Sequence, residues 1–332
     1  MKKIINCPEN YTDDMLRGIY AAYPEKVTYA NGNLRCCCTT KKTPGKVSIV
    51  TGGGTGHLPL FLGYVGEGLL DGCAVGSVFQ SPSAEWIYDV CKEVDNGAGI
   101  LFLYGNYTGD IMNFDMAAEL CEMDGIQTRS IVGADDVCSA SAENSGLRCG
   151  VAGILFMYKC AGAKAAQMAA LDEVLAVAQK VRENVRTVGF AMSPCTIPEV
   201  GHPNFTLEEG TMSMGMGIHG EPGIWNGPMK TARELAAYAL DTILADISIQ
   251  AGERVAVLLN GLGATSIEEL YILNAELHEA LQCHGIHVAK TYVGEFATSM
   301  EMAGASVSVC KLDDELLALL NAPASTPFFC PF

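Results

Sequence analysis

A chain of 332 residues, 49% hydrophobic and 18% charged, holds enough apolar material for two cores of ordinary size, which excludes a stapled miniprotein and a disordered segment. Its 36 glycines suit an architecture in which buried strands turn sharply into helices. A formal net charge of −17 argues against nucleic acid and anionic membranes as partners, because both draw on clustered Lys and Arg; the expected ligand is small and uncharged, or held by local groups.

Residues 1–10 lack the apolar stretch of a signal peptide, and no apolar run approaches the roughly 20 residues a spanning helix needs, so the chain is expected to be cytoplasmic. Of the 14 cysteines, Cys36, Cys37 and Cys38 are consecutive and the rest scatter without a C-x-x-C pair, so they read as small apolar fillers and no metal site is expected. The triplet itself has no further explanation from sequence. Residues 46–50 form a β-branched run that enters a glycine-rich loop at 51–56, and a helix is expected from His57. Further strands are expected at 72–78, 99–104 and 126–132, with helices at 84–94 and 112–123 between them, the alternation of a largely parallel sheet covered on both faces.

Leu171, Val174, Leu175, Ala178, Val181 and Val185 recur at helical spacing and mark a long helix closing the first half. The boundary is set after it, giving domains 1–186 and 187–332. The second half restarts with a strand at 187–192 and a loop-rich stretch at 193–228, a length that is usually functional or mobile. A buried strand follows at 254–259. Thr265 and Ser266 each precede a glutamate by three residues, Glu268 and Glu269, a doubled capping-box signal for a helix at 267–281. Strands at 287–293 and 306–310 complete the reading. The fold class is therefore α/β: two α/β domains, each a largely parallel or mixed sheet flanked by helices.

Three segments carry unusual side chains where a strand gives way to a loop, the place where ligands gather in parallel sheets. Residues 51–57 read Thr-Gly-Gly-Gly-Thr-Gly-His; the glycines permit positive φ and close backbone approach to a ligand. No Lys-Ser or Lys-Thr follows, which defeats a phosphate loop, and the position three beyond Gly54 is His57 and not glycine, which defeats a dinucleotide fingerprint and with it a Rossmann-type oxidoreductase. Residues 105–110 read Gly-Asn-Tyr-Thr-Gly-Asp, where Asp110 is either a general base or the cap of the following helix. Residues 214–224 set His219 among glycines and a proline, where a neutral imidazole is a competent nucleophile toward a carbonyl. His202, His278, His284 and His287 lack such a setting and read as surface or packing residues.

Together with residues 79–82, which include Ser81, and the run 260–271, these segments resemble the substrate-binding K subunit of dihydroxyacetone kinases, in the same order and over nearly the whole chain. The resemblance implies that His219 forms a hemiaminal with the ketone carbon, that His57 assists at the carbonyl oxygen, and that Asp110 activates the accepting hydroxyl. Gly54, Thr55, Gly56, Ser81 and Gly105 match the sugar site. It further implies a homodimer whose active histidines come from different domains, with no cofactor in this chain. The phosphoryl group is expected on a separate nucleotide-carrying L subunit holding ATP or ADP with Mg, recharged by a phosphotransferase-system M subunit or using ATP directly. Covalent capture selects ketoses over polyols and needs a neutral imidazole, so it is expected to weaken on acidification. Members that use dihydroxyacetone usually carry lysine where this chain has Gly105, which suggests a larger substrate such as a four-carbon ketose. The alternative is a ketose-sensing coactivator of a transcription regulator.

Overall fold

The computed structural model describes residues 2–221 and 223–330. In chain order the elements are α1 (Tyr11–Ala22), β1 (Val27–Tyr29), β2 (Cys36–Thr39), β3 (Ser48–Thr55), β4 (Gly72–Val78), α2 (Ala84–Val94), β5 (Ile100–Gly105), α3 (Thr108–Met123), β6 (Thr128–Gly133), α4 (Ile154–Ala166), α5 (Leu171–Asn184), β7 (Val185–Ala191), β8 (Thr211–Met214), β9 (Trp225–Pro228), α6 (Ala232–Asp246), β10 (Arg254–Gly261), α7 (Ile267–Cys283), β11 (His287–Gly294), β12 (Gly304–Leu312) and α8 (Asp314–Asn321).

The chain separates into two compact units, neither continuous in sequence. The first is Met1–Gly133, Met157–Lys180 and Ala318–Phe332; the second is Ala134–Phe156 and Val181–Leu317. A single cut at 186/187 therefore differs from this division at three segments, 134–156, 181–186 and 318–332, and specific hydrogen bonds account for the first and the last. The buried Asp135 carboxylate accepts from Val151 N, Gly153 N and the Thr187 hydroxyl, tying 134–156 to β7. The Thr326 hydroxyl donates to Gly63 O at 2.7 Å and Lys26 Nζ donates to Thr326 O at 3.0 Å, tying the C-terminal residues to the first unit.

The first unit's sheet runs β1-β2-β4-β3-β5-β6. Strands β4, β3, β5 and β6 are parallel, and the antiparallel β2 and β1 extend one edge. Strand β5, between β3 and the edge strand β6, is buried along its whole length, as a strand covered on both faces must be. The cysteine triplet is β2: all three side chains are fully buried between β1 and β4. Burial pushes the Cys36 and Cys37 thiols up to about 12, so they stay neutral and act as small apolar packing. Helix α2 starts where Ser83 accepts from Trp86 N, and it buries Ile87, Val90, Cys91 and Val94 against the sheet.

In the second unit the order is β11-β10-β12-β7-β8-β9, with β10 and β11 parallel and the other neighbours antiparallel, so this sheet is mixed. Leu270, Leu273, Leu277 and Leu281 bury one face of α7. Only one of the two capping-box signals is used: Ser266 and Glu269 cap α7 reciprocally, while Thr265 Oγ1 donates to Gly304 O and accepts from Gly304 N. The loop-rich stretch at 193–228 contains the short strands β8 and β9.

Asp136 gives the second unit a pH response. Burial pushes its carboxyl up to about 7; the Cys138 N–H opposes this, Asp135 and Glu221 add to it, and Arg148 opposes it. The ordinary value is 3.8, so between about pH 4 and pH 7 this carboxyl holds its proton in the folded chain and loses it in the unfolded one, and its contribution to stability falls as pH rises through that window. The variant Asp136→Asn is therefore expected to gain about 2–4 kcal/mol on the parent when urea unfolding is moved from about pH 4 to about pH 8. An equal difference at both pH values would contradict it.

Candidate functional site

The glycine run is strand for most of its length. Thr51 to Thr55 pair with β4, from Thr51↔Cys73 to Thr55↔Val78, so their backbone is engaged in the sheet and does not form a phosphate cradle. The glycines serve close approach. A Cβ on Gly53 would lie 2.4 Å from the Phe61 ring, and one on Gly54 would lie 2.6 Å from Gln80 N. Among 52–56 only Gly56 has positive φ, at +101°. The helix expected from His57 is absent: Pro59 follows within two residues, Phe61 sits at φ +68°, and a single 3-10 turn covers Leu62–Tyr64.

His57 is 1% exposed. Its ring stacks on Phe79 at 4.8 Å and 19° and meets the edge of Phe61 at 6.1 Å. Phe61 and Phe79 both hold left-handed φ, +68° and +58°, which costs each about 1–3 kcal/mol. Two strained aromatics thus clamp one buried imidazole. Thr55 directs its hydroxyl to Thr12 at 3.1 Å.

Helix α3 begins four residues before the expected start, at Thr108, so Asp110 lies in its first turn and not at its N-cap; Tyr107 is the cap. The orphan N–H groups and positive dipole end there favour a carboxylate. Phe114, one turn on, anchors the helix: it stacks on Tyr104 at 3.9 Å and 5° and meets Phe102 at 5.1 Å. Such an aromatic anchor is worth about 3–5 kcal/mol by truncation. Asp110 is 5% exposed, and its charge helps burial and Asp115 raise the Tyr104 phenol. Ser81 reaches the same turn, for a Cβ on Gly109 would lie 2.8 Å from Ser81 Oγ, and Asn113 Nδ2 donates to Pro82 O. The end of β3, the loop after β4 and the first turn of α3 therefore converge within the first unit. Gly105 ends β5 opposite Gly133 of β6, with Asn106 N donating to Gly133 O, so two adjacent strand ends carry no side chain.

In the second unit His219 follows β8 on a loop that starts with Gly215 N donating to Gly189 O. Its side chain is 23% exposed. Glu221 grips it twice: Oε1 lies 2.8 Å from Nδ1, and Oε2 accepts from His219 N at 3.0 Å. Asn204 Nδ2 donates to His219 O at 3.1 Å. Burial pushes the Glu221 carboxyl up, but the hydrogen bond and charge of His219 outweigh it and the net shift is downward.

The Dak1 domain profile matches residues 17–328. The PTS-dependent dihydroxyacetone kinase 1, dihydroxyacetone-binding subunit DhaK, of Listeria innocua is 42% identical over 98% of this chain and 99% of its own. The chain belongs to the Dak1 family. Its type within the family is the DhaK substrate-binding subunit, and the activity is that of a phosphotransferase acting on an alcohol. The D-erythrulose kinase of Mycolicibacterium smegmatis is likewise 42% identical over 99% of this chain, which spans 56% of that longer protein. Among solved structures, the dihydroxyacetone kinase of C. freundii superposes with a TM-score of 0.91 at 27% identity, covering 99% of this chain and 60% of that one. The dihydroxyacetone kinase operon co-activator DhaQ superposes with a TM-score of 0.88 at 32% identity, covering 94% and 96%.

Sequence reading gave no role to three neighbours of His57 and His219. Phe61 leaves no signal and Phe79 stood in the segment 79–82 without one of its own, because positive φ at a phenylalanine is imposed by packing. Glu221 stood in the quoted His219 segment, and its spacing of two was the available clue. Among the described residues no group of three or more His, Cys, Asp or Glu is placed to hold a metal, and no helix is long and apolar enough to cross a membrane.

Proposed function

We propose that this Dak1 chain captures a short-chain ketose as a hemiaminal on His219 and presents its terminal hydroxyl for phosphorylation. The observation that carries the reading is the grip of Glu221 on Nδ1, which leaves Nε2 as the basic nitrogen of a ring held on a glycine loop. His57 assists at the carbonyl oxygen and Asp110 takes the hydroxyl proton; Gly54, Thr55, Gly56, Ser81 and Gly105 line the sugar site. The phosphoryl group comes from ATP held with Mg on a nucleotide-carrying L subunit; transfer leaves ADP there, which a phosphotransferase-system M subunit rephosphorylates or fresh ATP replaces, and the K subunit works as a cytoplasmic homodimer.

The substrate is a four-carbon ketose such as erythrulose. Gly105 beside Gly133 supports this, because a side chain at either position would occupy the end of the strand pair. With a matched L subunit, kcat/KM for erythrulose is expected to exceed that for dihydroxyacetone by about 10-fold or more, the worth of one well-placed group. A clear preference for dihydroxyacetone would reject the four-carbon assignment. The likeness to the DhaQ co-activator favours a second reading, a ketose sensor. Capture without turnover by any matched L subunit would establish it over the kinase.

A further inference from the structure

We infer that Glu221 is the positioning residue that makes His219 a nucleophile, by fixing its tautomer. This rests on the proposal that His219 bonds the ketose. A neutral imidazole carries one proton, and the nitrogen without it holds the lone pair that attacks. Glu221 is ionised, since its net shift is downward, so the ring nitrogen facing it must be the one bearing hydrogen. That nitrogen is Nδ1, at 2.8 Å from Oε1. The lone pair is thereby assigned to Nε2.

The second oxygen makes the arrangement stiff. Oε2 accepts from His219 N at 3.0 Å, so one carboxylate satisfies two donors of the same residue and fixes backbone and ring together. Gly217 is required for this: a Cβ there would lie 2.3 Å from Glu221 Oε2. Asn204 holds the other side of the peptide through His219 O.

The covalent step balances on these atoms. The Nε2 lone pair forms the C–N bond, the carbonyl π pair moves onto oxygen, and that oxygen takes up one proton from solvent or a neighbouring acid. The ring becomes positively charged, and the Nδ1–H···Glu221 contact stabilises it. Release of the Nδ1 proton leaves a neutral adduct equal in composition to protein plus ketone.

Glutamine separates this role from simple loop packing. It is isosteric but has one acceptor oxygen for two donors, so it must leave either Nδ1–H or His219 N–H without its carboxylate oxygen. Turning its NH₂ toward Nδ1 favours the tautomer with hydrogen on Nε2, which cannot attack. The experiment uses the full chain with ¹⁵N-labelled histidine, read first without ketose and then with erythrulose and, separately, dihydroxyacetone, each ¹³C-labelled at the carbonyl. The parent is expected to show His219 with hydrogen on Nδ1, and Glu221→Gln to show a mixed or reversed tautomer. Capture, read as conversion of the carbonyl carbon to a tetrahedral one, should weaken about 10–100-fold in Glu221→Gln, the cost seen when a metal-binding imidazole loses the group that orients it, and Glu221→Asp should restore part of it. An unchanged tautomer with unchanged capture in Glu221→Gln overturns the inference. If no tetrahedral carbon forms even in the parent, the capture proposal fails instead, and the ketose-free nitrogen spectrum still decides whether Glu221 sets the tautomer.

Discussion

Replacing Asp110 by asparagine is expected to lower phosphoryl transfer by about 10²–10⁴-fold while leaving ketose capture intact. The substitution is nearly isosteric, and the amide keeps a hydrogen-bonding oxygen in the first turn of α3 where Asp110 stands. What it removes is a group able to take a proton from the attacking hydroxyl. Phosphoryl transfer through a loose transition state asks more of positioning than of base strength, which favours the lower part of that range. The Phe114 stack on Tyr104 holds the helix in either case, so positioning should survive. Steady-state turnover with a matched L subunit, together with the ¹³C carbonyl signal for capture, measures both quantities. A loss smaller than tenfold would remove Asp110 from the role of base.

The variant His219→Ala is expected to abolish capture and with it all turnover, while stability changes by no more than about 1 kcal/mol. The ring is partly exposed, and the residue's backbone bonds to Glu221 and Asn204 remain available. Glu221 is 38% exposed, so solvent can take the place of Nδ1. Selectivity supplies a second readout: the parent should discriminate ketose from glycerol strongly, since glycerol offers no electrophilic carbon, and the variant should lose that preference. Ketose binding by the variant at parental strength would show that the nucleophile lies elsewhere.

The sequence revealed most where side-chain pattern alone determines structure. The apolar run of β4 and the amphipathic repeat of α2 could be bounded to the residue, because their faces are filled by their own neighbours. Cys36 to Cys38 could not be read as β2, since a short strand of cysteines has no alternation to betray it. The glycine run was legible as special but not as strand: its pairing with β4 is long-range, and what excludes side chains there is Phe61 and the Phe79–Gln80 backbone, neither adjacent in sequence. Thr265 shows the same limit, since the partner that draws it away from the helix cap is Gly304. His57, Asp110 and His219 stood out in the sequence by residue type and loop context. Their supports, Phe79 and Glu221, are a matter of backbone torsion and geometry.

The return of the final segment to the first unit has a consequence for how the protein is made. Thr326 on Gly63 and Lys26 on Thr326 join residues beyond 317 to the first hundred, so a nascent chain emerging from the ribosome cannot finish its opening unit until that distant segment has been made. The whole second unit is synthesised meanwhile. A truncation before residue 318 would therefore damage the part of the molecule that was translated first.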